Sequence, residues 1–178
     1  MAQQTMQGSK IVSAIFHDAD DAEKAYRAAA ELGYTDDEIT VLMSQQARDR
    51  YYPSERVEVE HGRKTLAGTG VGGAVGAAVG AIAGVIAAIG TVVAIPPLGV
   101  VVAGPLAAAL AGAGAGSITG GLLGALVGAG ISEDHAKVYK TAIEKGGIVL
   151  TIAPHSAADA EVIAESWEKS GGEEVYRA

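Results

Sequence analysis

Short, mostly apolar β-rich runs punctuated by polar turns and caps mark both ends of this chain, and between them lies a long stretch without such punctuation. Residues 10–16 (KIVSAIF) and 39–43 (ITVLM) predict two strands. Between them, residues 22–32 predict a helix, with Asp18, Asp20 and Asp21 supplying a cap and first-turn acids that complement the helix dipole. Gly33 ends it, since glycine tolerates the left-handed C-terminal position. Residues 35–38 predict a turn. Residues 44–52 predict a helical turn or two, broken by Pro53, and residues 56–60 (RVEVE) alternate like an edge strand or a solvated linker. Beyond the uniform stretch, Ser132 predicts a cap for a helix over 133–145. Residues 148–153 predict a third strand. Ser156, with Asp159 three positions on, resembles a capping box for a helix over 157–169, and residues 174–177 predict a short fourth strand.

The central stretch is defined by charge. Residues 65–132 contain no Asp, Glu, Lys, Arg or His, so every charge of this 178-residue chain lies in the two arms. The first arm carries 8 basic and 12 acidic residues and the second 5 and 9, which together give the net charge of −8. The chain divides into 10–64, the first half of an α/β domain with a linker; 65–132, an apolar insertion; and 133–178, the second half. Each arm alone is too small to bury a sufficient core. Together they predict an α+β fold, a ferredoxin-like βαββαβ sandwich with a Gly/Ala-rich two-helix hairpin inserted between strands 2 and 3.

Glycine spacing makes the insertion distinctive. Gly68, Gly72, Gly76, Gly80 and Gly84 recur every four residues, as do Gly112, Gly116, Gly120, Gly124 and Gly128. That spacing keeps them on one slowly drifting helical face. Each glycine costs a helix up to about 1 kcal/mol relative to alanine, a cost that close backbone packing against another helix offsets. These ten residues are the predicted helix-packing interface, and Pro96, Pro97 and Gly99 the predicted hairpin turn. A helix over 66–95 would span roughly 45 Å, more than the roughly 30 Å of a bilayer core. Pro105 suits the first turn of the returning helix, 105–131. Such a hairpin inserts in membrane lipid with both termini cytoplasmic, a side mildly favoured by Arg63, Lys64, Lys137 and Lys140. The alternative is a cytoplasmic assembly, a soluble homo-oligomer that buries the hairpins in a particle or filament interior, since Ala and Gly insert only weakly. Either way a homo-oligomer is expected.

The segments Ile11-Val-Ser-Ala-Ile-Phe16, Ala22-Glu-Lys-Ala25 and Leu32-Gly33-Tyr34, the Gly68–Gly84 stripe, and Gly130-Ile-Ser-Glu-Asp-His-Ala136 through Tyr139 to Gly146-Gly147-Ile-Val-Leu-Thr-Ile152 resemble the bacterial general-stress-protein 17M-like family. The likeness runs over roughly residues 10–43 and 64–176. It implies a stress-response context, a ferredoxin-like domain interrupted by a glycine-zipper hairpin, and no established enzymatic activity.

Other chemistry is thinly represented. With no Cys there is no disulfide, thiolate zinc site or cysteine nucleophile. Residues 68–73 (GTGVGG) fit the dinucleotide-binding G-x-G-x-x-G, but no acidic residue follows until Glu133, and glycine is abundant enough for a chance match. His17 beside Asp18, Asp20 and Asp21 could be drawn as a metal site, yet capping accounts for the acids, and His17, His61, His135 and His155 show no i, i+4 pair. Tyr51 and Tyr52 beside Arg48 and Arg50 read as a solvated or headgroup-facing patch, and the acidic balance argues against nucleic acid. Trp167 and Tyr139 read as core aromatics. No catalytic residue, cofactor, metal or small-molecule substrate is predicted.

Overall fold

The computed structural model describes residues 11–52, 82, 93–95, 99–107 and 121–178. The chain is α+β, built on an antiparallel sheet. In chain order the described elements are β1 (Val12–Phe16), α1 (Ala19–Glu31), β2 (Ile39–Ser44), α2 (Gln45–Tyr51), β3 (Val93–Ile95), β4 (Val100–Ala103), α3 (Gly121–Gly128), α4 (Glu133–Glu144), β5 (Ile148–Ile152), α5 (Ala157–Lys169) and β6 (Glu173–Arg177). The strand order is β3-β4-β2-β5-β1-β6, with every neighbouring pair antiparallel.

The helices begin where the sequence provides side-chain acceptors. Asp18 caps α1 through the Asp20 N–H, and Ser132 caps α4 through the His135 N–H. Ser156 caps α5 by accepting from the Asp159 N–H at 3.1 Å. The capping box is only half formed there, because the Asp159 carboxylate accepts instead from the Tyr34 hydroxyl at 3.2 Å.

Both sheet faces are covered, which is why β1, β4 and β5 are buried along their whole length rather than at alternate positions. One face packs Val12, Ala14, Phe16, Ile148 and Leu150 against α1 and α5. Its largest member is Trp167, fully buried, with its ring edge-on to Phe16 and its Nε1–H donating to the Ala25 carbonyl at 3.0 Å. The other face packs Ile15, Leu42, Val102 and Val149 against α3 and α4. Tyr139 is buried there, its hydroxyl donating to the Glu174 carbonyl at 2.8 Å and lying 3.1 Å from the Ser13 carbonyl, which ties the edge strand β6 to α4.

The segment over 93–103 departs from expectation. A helix continuing to residue 95 and a turn joining two helices were predicted, but Val93–Ile95 and Val100–Ala103 are strands. Gly99, at φ +60°, sits in a turn that joins strand to strand. Val41–Ser44 pairs with Val100–Ala103 in register, so β4 covers a β2 edge that would otherwise present unpaired N–H and C=O groups. The β-branched residues of this segment lose side-chain freedom in a helix and fit a pleated sheet, so pairing with an open edge prevails over helix continuation. Residues 105–107 are helical from Pro105, where the returning helix was expected to start, and α3 ends at Gly128, short of the expected residue 131. Residues 56–60 lie outside the described residues.

At the opposite corner the turn after α1 is clasped to the start of α5. The Glu38 carboxylate accepts from the Thr35 N–H and hydroxyl at 2.9 Å each, and from His155 Nε2 at 2.6 Å. The Thr35 N–H, then the His155 and Thr35 side chains, hold the Glu38 carboxyl down at about 2. A carboxyl lowered on folding contributes stability above its ordinary value of 4.5 and loses that contribution as pH falls toward 2. Glu38→Gln should therefore lower the urea midpoint at neutral pH, and the gap from the parent protein should close as acid is added across that window.

Candidate self-association surface

The ten glycines of the stripes are the sequence's principal candidates, and Gly124 and Gly128 are the two among the described residues. Both lie on α3, an eight-residue helix without a charge. Leu122 and Leu126, four apart, turn inward and are buried against the α4 side of the core. Gly124 and Gly128, also four apart, are exposed, as is Val127 at 43%. Among the described residues, a Cβ built on Gly124 or Gly128 would meet nothing within 4 Å. The helix thus has one face committed to its own core and another of backbone and small side chains. Gly68, Gly72, Gly76, Gly80, Gly84, Gly112, Gly116 and Gly120 lie outside the described residues, as do Pro96, Pro97 and the G-x-G-x-x-G match.

The insertion touches the α/β core at several points. Ile82 is fully buried in the α1 and α5 core, and its N–H lies 3.1 and 3.3 Å from the two carboxylate oxygens of Glu23 on α1. Nearby, the ionisation of the buried Tyr52 hydroxyl is pushed up, first by burial and then by the Glu23 carboxylate. Leu106 and Ala107 join the opposite core, with the Leu106 N–H 3.4 Å from the Thr40 hydroxyl.

Gly104 makes this junction sterically possible. Its φ is +97°, and a Cβ there would lie 2.3 Å from the Ile39 carbonyl oxygen and 2.9 Å from the Thr40 Cα. Neither Gly104 nor Glu23 stood out in the sequence. The Gly-Pro pair after a β-branched run was the available sign for Gly104, whereas nothing distinguished Glu23 from other acids on an exposed helix face.

The chain matches no protein-family model, no curated protein and no solved structure.

Several of the polar side chains considered as catalytic or metal groups are engaged otherwise among the described residues, and His61 lies outside them. Asp18 caps α1, Asp21 pairs with Lys24 at 2.6 Å, and His17 meets Glu173 at 3.2 Å. His135 Nδ1 lies 2.8 Å from the Ser132 hydroxyl, and its ring packs against Tyr176. Among the described residues no three metal-binding side chains gather, and no helix is long and apolar enough to cross a membrane.

Proposed function

We propose that this chain is a non-enzymatic protein that self-associates through its glycine-striped insertion, carried on a ferredoxin-like head and serving a stress response. The order β2-β5-β1-β6, with α1 and α5 on one face, supports the ferredoxin-like reading of the head. The stress context rests on the family resemblance alone. One observation carries the self-association: an uncharged helix that buries Leu122 and Leu126 in its own core and turns Gly124, Val127 and Gly128 outward. A glycine face is costly in water and gains from close contact with a second helix. A second copy of the chain supplies that helix.

Insertion in membrane lipid is the second reading, favoured by the absence of charge over residues 65–132. It places the 93–103 segment at or beyond the far side of the bilayer, which requires β3 and β4 to leave β2. Light scattering of the full chain in detergent-free buffer, with flotation on phosphatidylcholine vesicles in parallel, separates the two. A lipid-free particle well above the 17.8 kDa of one chain, with slow amide exchange over residues 100–103, is the expected result. Recovery only with vesicles, with those amides unprotected, would favour the membrane. A monodisperse, lipid-free single chain would contradict both.

A further inference from the structure

A cleft of about 470 Å³ opens at the end of the sheet where β1 finishes and β5 begins. It is lined by Gln46, Arg50 and Tyr51 of α2, by Glu144 at the end of α4 and Lys145 in the turn to β5, and by His17. The glycines of that turn, Gly146 and Gly147, line it too.

The charges in this cleft are unevenly satisfied. Glu144 is paired with Lys140, and His17 lies against Glu173. Lys24, Arg48, Lys137, Lys140, Lys169 and Arg177 each meet a carboxylate. Arg50 and Lys145 meet none among the described residues, although the chain carries a net charge of −8. Arg50 instead lies over the Tyr51 ring, 5.4 Å from its centroid. Two cations that meet no carboxylate among the described residues thus line one cleft of an acidic protein.

We propose that this cleft binds a phosphate group. The planar guanidinium of Arg50 can engage two phosphate oxygens, the Lys145 ammonium supplies a compact second charge, and Gln46 adds an amide donor. The cleft volume falls in the range of small-molecule sites, roughly 300–1,000 Å³. The site is independent of the glycine stripes and does not require self-association.

Equilibrium dialysis of the full chain against labelled inorganic phosphate at constant ionic strength tests this, beside flotation with vesicles containing phosphatidic acid. Arg50 and Lys145 are exposed, so Arg50→Gln and Lys145→Gln should keep the parent's circular dichroism. Saturable binding that weakens about tenfold in each variant and not in Lys24→Gln is expected. Dependence on both residues in dialysis assigns a free anion, and the same dependence in flotation alone assigns a lipid headgroup. No saturable binding in either assay up to about 10 mM phosphate, or binding indifferent to both substitutions, overturns the proposal.

Discussion

Replacing Gly104 with alanine is expected to release β3 and β4 from the edge of β2 while the rest of the sheet stays folded. Two costs coincide at this position. The backbone adopts φ +97°, which an L side chain rarely takes, and the added Cβ would lie 2.3 Å from the Ile39 carbonyl oxygen. That neighbour is main chain in the middle of the sheet, so it cannot rotate away as a flexible side chain would. Strain and collision together should cost the docked arrangement about 2–4 kcal/mol, enough to favour the undocked state of a short strand pair. Amide exchange reads the outcome residue by residue. The amides of Val100–Ala103 should lose protection while those of β1 and β5 keep theirs. Unchanged protection over Val100–Ala103 would mean that the strand pair does not sit on β2 as described.

The second large effect lies in the core. Trp167→Ala should lower the unfolding free energy by about 3–5 kcal/mol, because the indole is fully buried and its removal opens a cavity that helix and sheet cannot close. Trp167→Phe separates packing from hydrogen bonding. It keeps a ring beside Phe16 but loses the Nε1–H bond to the Ala25 carbonyl, and should cost clearly less than the alanine substitution. Urea denaturation of both variants checks the order. A tryptophan variant as stable as the parent would show that α5 is not held on the sheet by this residue.

The arms were legible because their helices are amphipathic and capped and their strands are short apolar runs bounded by polar turns. Asp18, Ser132 and Ser156 sit at the caps expected of them, and Gly33, Gly146 and Gly171 follow their helices at φ near +90°. The 93–103 segment was not legible. A strand buried on both faces carries no alternation, so an apolar run beside a glycine-rich helix reads as more helix. What decides its conformation is the open edge of β2, and that edge exists only once the four strands of the arms have assembled. Residue 82 shows the same limit: its burial depends on α1 and on Glu23, some sixty positions earlier in the chain. Nor did the sequence show that Arg50 of α2 and Lys145 after α4 line the same cleft. Of the proposed interface, the spacing of the glycines was plain in the sequence. Which way Gly124 and Gly128 point was not, since Leu122 and Leu126 choose the buried side only against Ile131 and Tyr139.

The role given to the glycine face is tested most directly by sedimentation velocity of the parent chain beside Gly124→Leu/Gly128→Leu. Both positions are helical and open among the described residues, and leucine is the better helix former by about 0.8 kcal/mol, so the single chain should remain folded. The parent should sediment as an assembly and the double variant as a smaller species with the same circular dichroism. A double variant that sediments like the parent would contradict the assignment of this face as the place where chains meet.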